Sequence, residues 1–140
     1  MLVVAPGTIF AVAVGPESDV APVRGLRRLA QTTSGGGVEY LQRAKLTASD
    51  GAVHDRFGES VSIDGDTMVI GAWADDGWAT DSGSAYVFTR DTAGDLASNW
   101  TQVAKLTAGT DGAAGDQFST GVSIDGDTVV IGARNDDDDG

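Results

Sequence analysis

At 140 residues the chain is long enough for one domain, but 20 glycines and 21 acidic residues, nearly all aspartate, favour tight turns over helices. A net charge of −12 with only 9 basic residues disfavours a nucleic-acid partner, whose phosphates would need a concentrated basic face. Without cysteine there is no disulfide framework, thiol nucleophile or Cys-ligated zinc.

The first fifteen residues, MLVVAPGTIFAVAVG, are apolar, and Ala11-Val12-Ala13 has the small residues of a signal-peptidase site. A basic start is missing and Pro6-Gly7 interrupts the run, so a chance apolar start is the competing reading. No stretch reaches the ~18 apolar residues of a membrane span. The cluster Arg24, Arg27 and Arg28 follows. Residues 1–37 show no internal match and read as leader, linker or disorder.

Beyond them the chain repeats. DRFGESVSIDGDTMVIGAWADD begins at Asp55 and DQFSTGVSIDGDTVVIGARNDD at Asp116, an offset of 116 − 55 = 61. It holds through Phe57/Phe118, Val61/Val122, Ile63/Ile124, Ile70/Ile131 and Asp76/Asp137. Upstream, the KLTA segments at Lys45 and Lys105 lie 105 − 45 = 60 apart, so one residue is inserted in the second copy's loop. A fixed period of this kind marks a repeat architecture.

Four strands are predicted within one period. The first spans about 57–63, where Val61 and Ile63 alternate with Ser60 and Ser62. Asp64-Gly65-Asp66 then makes a tight turn. The second, 67–72, is an almost unbroken apolar run, as for a strand covered on both faces. A polar loop, DDGWATDSG, leads to the third at 84–90, with Tyr86 and Phe88 on one face and Ala85 and Val87 on the other. The fourth, 100–106, is more polar and suits an outer edge. Four antiparallel strands per repeat, stacked face to face, build a propeller blade. The fold class is therefore all-β, a partial β-propeller of antiparallel four-stranded blades. A sandwich would not require so close a repeat.

The pattern D-x-F-G-x-S-V-x-I-D-G-D-T-x-V-I-G-A, then an acidic loop and G-S-A-Y-V-F, resembles FG-GAP repeats. Such repeats form the blades of the integrin α-chain propeller and of many bacterial, archaeal and algal surface proteins. Phe57-Gly58 matches the FG and Ile70-Gly71-Ala72 the GAP portion, with Trp73 where the family often has proline. The second copy departs further, with Phe118-Ser119 and with Arg134 after Gly132-Ala133. The resemblance covers about residues 38–140. It divides the chain into the last strand of a preceding blade (38–48), a complete blade (55–108) and the first half of the next (116–140). Neighbouring blades of the same propeller are then the first expected partners.

The resemblance also implies calcium, because integrin-type blades carry a loop of closely spaced carboxylates around a hard cation. The Asp64-Gly65-Asp66 hairpin is too short for six or more oxygens. The acidic loops are better candidates: Asp75 and Asp76 in one copy, and Asp136, Asp137 and Asp139 in the other. A solvated acidic loop that needs no cofactor is the competing reading. His54, the one histidine, has Gly115 as its repeat mate, so a Ser-His-Asp arrangement finds little support. Asn99-Trp100-Thr101 is an N-glycosylation sequon. Trp73 and Trp78 suit stacking on a sugar or peptide, although packing between blades is their more ordinary role. The expectation is a non-enzymatic module of a surface or secreted, extracellular protein. It would bind protein or carbohydrate in an adhesion-like role. The alternatives are a purely structural scaffold or the non-catalytic propeller part of a larger extracellular enzyme.

Overall fold

A 61-residue period should produce one hairpin twice, in one register. The computed structural model, which describes residues 9–14 and 40–137, contains both copies. Strands β3 (Ser60–Asp64), β4 (Thr67–Ala72), β5 (Ser84–Arg90) and β6 (Trp100–Leu106) form one antiparallel sheet in that order. Strands β7 (Phe118–Asp125) and β8 (Thr128–Ala133) form a second hairpin. The β3–β4 register runs from Ser60↔Gly71 to Asp64↔Thr67, and it recurs as Gly121↔Gly132 to Asp125↔Thr128. Each turn places a glycine with positive φ, Gly65 at 54° and Gly126 at 58°, at the first position of a two-residue loop.

The first strand of the complete blade starts at Ser60 rather than Phe57, whereas its repeat mate β7 includes Phe118 across a register irregularity between Phe118 and Gly121. Positive φ alternates through His54 (84°), Arg56 (61°) and Gly58 (98°), and again through Gly115 (88°), Gln117 (58°) and Ser119 (75°). Four of these six are side-chain-bearing residues, for which the left-handed region costs about 1 kcal/mol or more each. An aspartate holds the geometry in both copies. The Asp55 carboxylate accepts the Ala52 N–H, and its carbonyl accepts the Ala74 N–H. Asp116 does the same with Ala113 and Asn135.

Strand β4 is apolar throughout because both of its faces are covered. Met68, Ile70 and Ala72 share one face with Tyr86 and Phe88, and Leu46 and Phe57 close over them. The Phe57 ring meets Tyr86 and Phe88 edge-on at centroid distances of 5.5 and 6.2 Å. Val69 and Ala85, on the other face, are also fully buried on the side where β7 packs. Phe118 is only half-buried, unlike its mate Phe57, because no counterparts of Tyr86 and Phe88 cover it among the described residues. The hairpin therefore repeats, but its burial does not.

Leu46 belongs to β2 (Tyr40–Leu46), which does not stand alone. It pairs with β1 (Ile9–Val14), inside the stretch that showed no internal match. The pairing copies β5–β6: Ile9↔Leu46 mirrors Ala85↔Leu106, and the irregularity between Ala11 and Val12 mirrors that between Val87 and Phe88. Residues 9–14 are therefore the third strand of the preceding blade, which corrects the reading of all of 1–37 as leader or linker. The connection over 15–39 lies outside the described residues. Among the described residues the one helical piece is a 3₁₀ turn at Gly109–Asp111.

Consecutive blades are joined by hydrogen bonds as well as by side-chain packing. Near the first strands, the Gly126 N–H donates to Asp64 at 2.7 Å and the Ile124 N–H to Ser62 Oγ at 3.2 Å. Loop residues Thr80, Asp81 and Ser82 accept the N–H groups of Gly115, Gln117 and Phe118. Ser119, where the first copy has Gly58, accepts the Ala72 N–H with its Oγ at 3.0 Å and donates to the Ser84 carbonyl at 2.6 Å. Gly83 makes this closeness feasible: a Cβ there would lie 2.2 Å from the Phe118 carbonyl oxygen, at φ 87°. Gly83→Ala should therefore lower unfolding free energy by roughly 2–3 kcal/mol, combining strain with a clash against backbone. Gly94→Ala, at similar φ but with open space around the new Cβ, should cost only about 1 kcal/mol. Urea denaturation of the two variants checks the contrast, and equal losses would contradict it.

Candidate ligand-binding cleft

The loop after β2 and the loop after β4 face one another across an open cleft of about 480 Å³. Asp50, His54, Asp55, Asp75, Asp76 and Lys105 are among the residues that line it. Its floor is a polar network built around the buried Asp75. The Asp75 carboxylate accepts the Ser84 hydroxyl at 2.7 Å, the Tyr86 hydroxyl at 2.8 Å and the Lys105 ammonium at 2.9 Å. Lys105 also donates to Asp50 at 2.7 Å, and the Tyr86 hydroxyl lies 3.0 Å from the same carboxylate. Gly77 lets the loop wrap closely, since a Cβ there would stand 2.5 Å from the Asp75 carboxylate. The network joins two blades, as Asp50 follows β2 whereas Tyr86 and Lys105 belong to β5 and β6.

These contacts fix the protonation states. Burial raises the Tyr86 pKa above the usual phenol range, and its hydrogen bonds to Asp75 and Asp50 add to this. Partial burial alone would lower Lys105, but hydrogen bonds to Asp50 and Asp75 outweigh it and raise the pKa. Burial likewise pushes Asp50 up, and the bonds from Lys105 and Tyr86 more than reverse it. Tyrosine and lysine are both held protonated, which is the opposite of activating a base or nucleophile.

The acidic candidates from the sequence are not brought together. Asp75 is buried in the network, and Asp76 accepts the Asp81 N–H at 2.8 Å. Asp136 and Asp137 are exposed on the loop after β8, and Asp139 lies outside the described residues. Among the described residues, no group of three or more His, Asp or Glu side chains is placed to hold a metal ion. A cation at Asp75 would have to displace Lys105, so residues 75–76 as placed do not fit a calcium cage. His54 is exposed on the cleft wall and makes no hydrogen bond to a serine among the described residues. Asn99 is exposed just before β6.

Trp73 donates its indole N–H to Glu59 and lies under Arg56, both in its own repeat. Trp78, one residue beyond the cleft-lining Gly77, is 57% exposed. The sequence reading overlooked Asp50, Tyr86 and Lys105. A signal was available for the first, because Asp50/Asp111 and Asp75/Asp136 both recur at 61 residues.

A family of FG-GAP repeats matches residues 40–88 and 100–140. The chain belongs to the FG-GAP repeat family. No curated protein and no solved structure matches it. The first FG-GAP match begins on β2 and ends in β5, and the second begins on β6. One family unit therefore takes its opening strand from one blade and its remaining strands from the next. The cleft falls at that junction, between the loop after a unit's opening strand and the loop after β4.

The network sets the pH limits of stability. The raised Tyr86 and Lys105 stabilise fully below their ordinary values of 10.0 and 10.5, and lose this as pH climbs through the raised ones. The lowered Asp50 stabilises above 3.8 and loses this as pH falls through its lowered value. Denaturation midpoints should therefore fall off at both extremes. Lys105→Met leaves the Asp75 carboxylate buried without a counter-ion, at a cost of roughly 2–4 kcal/mol at pH 7 once solvent screening of the half-buried lysine is allowed for. It should also weaken the alkaline limb. An unchanged profile in the variant would mean that the network contributes nothing to folding.

Proposed function

We propose that this chain is part of a non-catalytic propeller of a surface or secreted protein, which binds protein or carbohydrate through its loops. The observation that carries the reading is the exposed Trp78 indole next to an open, carboxylate-lined cleft. An exposed indole offers a flat apolar face for a sugar ring or peptide side chain, and the carboxylates beside it accept hydroxyl or ammonium donors. The protonated, mutually paired Tyr86 and Lys105 support binding rather than turnover. Fold alone does not fix this function, since one scaffold serves many. No helix among the described residues is long and apolar enough to cross a membrane. A surface or secreted location is in keeping with the FG-GAP repeats.

The acidic lining favours a ligand with amines or many hydroxyls over an anionic one. Glucosamine oligomers, cellohexaose and a lysine-rich peptide are suitable probes, titrated against the wild-type chain and Trp78→Ala. Binding of at least one, weakened tenfold or more by the substitution, is the expected result. Binding that Trp78→Ala leaves unchanged, or none at all, would favour a purely structural scaffold; cleavage of a probe would point to an enzyme.

Calcium is not needed in this reading, because Asp75 already has its counter-ion in Lys105. Calorimetric titration with calcium chloride should give no saturable micromolar binding. Micromolar affinity abolished by Asp75→Ala with Asp76→Ala would show a cation site in that loop.

A further inference from the structure

We propose that Asn99 is an N-glycosylation site on the outer rim of the propeller, and that its glycan covers the open edge of β6. This rests on the surface or secreted reading, because a secretory route is what supplies the glycan donor. Asn99-Trp100-Thr101 has the spacing an acceptor needs, with a hydroxyl residue two places on and no proline between. A motif this short also occurs by chance, so its place in the fold has to support it. In the transfer, Nδ2 of Asn99 bonds to the anomeric carbon of a lipid-linked oligosaccharide diphosphate. The anomeric C–O bond breaks, the lipid diphosphate leaves, and Nδ2 gives up one proton.

The fold holds the backbone around Asn99 and leaves its side chain unused. The Asn99 carbonyl accepts the Asp91 N–H at 2.9 Å and the Ser98 hydroxyl at 3.1 Å, which closes the loop between β5 and β6. Trp100, next along, packs on the core cluster and holds the Arg90 guanidinium 4.3 Å above its ring. Arg90 is in turn bonded to Asp66 at 2.7 Å. Strand alternation then puts Asn99 and Thr101 on the face opposite Trp100, and both are exposed. The Asn99 amide makes no hydrogen bond among the described residues. The chain's other asparagine differs: Asn135 Nδ2 donates to the Gly115 carbonyl at 3.2 Å, and aspartate stands where a sequon needs a hydroxyl.

The position leaves the rest of the molecule clear. Asn99 precedes the start of β6, whereas the cleft lies at the strand's far end, beside Lys105. Blades stack by their faces, as β2 and β7 do on either side of the complete blade. The outer edge of a fourth strand points away from the ring, so adjoining blades leave it open however many they are. In the complete blade that strand is β6, which pairs with β5 alone among the described residues. An open edge invites pairing with another chain, and a bulky, hydrophilic glycan at its head obstructs this.

The protein should be recovered from its own cells and, separately, secreted from insect cells behind an added signal peptide. In both, digestion with peptide-N-glycosidase should lower the mass and leave aspartate at position 99. Asn99→Gln and Thr101→Ala should abolish the modification, Thr101→Ser should keep it, and all three should preserve the circular dichroism spectrum. The digested protein should aggregate roughly twofold faster or more than the glycosylated form, by light scattering. An unmodified Asn99 in insect cells, or a glycan retained by Thr101→Ala, would overturn the site. A glycan found only in the insect-cell protein would show a competent acceptor in a chain that takes no such route, which overturns the surface or secreted reading and this site with it. Equal aggregation rates would overturn the covering of β6.

Discussion

A β-strand that is apolar on both faces has to be covered twice, and the architecture of this chain follows from that requirement at β4. Met68, Ile70 and Ala72 look one way, and Val69 looks the other. The first set is covered by Leu46 and Phe57, which precede the sheet in sequence, and Val69 lies on the side packed by β7, which follows it. The complete blade is therefore a middle layer, made stable by its neighbours as repeat units are. Polar groups reinforce the same junctions. Asp64, Ser62 and the loop at 80–82 all receive backbone N–H groups from the next blade.

The repeat made most of this legible. Strands β4, β5 and β6 fall where the sequence placed them, β4 as an apolar run after a Gly/Asp turn, β5 by its alternating aromatic face and β6 by its match to the KLTA segment of the preceding copy. Strand β1 escaped notice for a physical reason. Its sequence, IFAVAV, shares no aligned residue with the AYVFTR segment of β5. The connection to β2 spans 15–39, against 91–99 in the complete blade, so the offset changes from 60 residues at the outer strand to 85 − 9 = 76 at the third. Any search at constant period misses it. The strand start expected at Phe57 is met in the second copy, where Phe118 pairs with Ala133, and not in the first, where pairing begins at Ser60.

The cleft network was harder still to read. Its titratable members, Asp50, Asp75, Tyr86 and Lys105, are ordinary residues at ordinary spacings; β5–β6 pairing sets Tyr86 opposite Lys105, and the packing of one blade on the next adds Asp50. Asp75 looked like one of many acidic loop residues, yet it differs from Asp76 in being buried with three donors. In so acidic a chain the informative residue is the cation, and Lys105 is one of only two lysines. Searching for what balances the carboxylates is more productive here than searching for carboxylates.

The one-strand offset between family unit and blade has a mechanical consequence. Were units and blades in phase, a stretched array could give up one unit at a time and leave its neighbours intact. Here, extracting the unit that begins at β6 strips the outer strand from the complete blade and uncovers the Val69 face. Force applied along the chain is therefore shared across each junction, and resistance at one unit depends on the integrity of the next. Neighbouring units would yield to tension together rather than as separate beads.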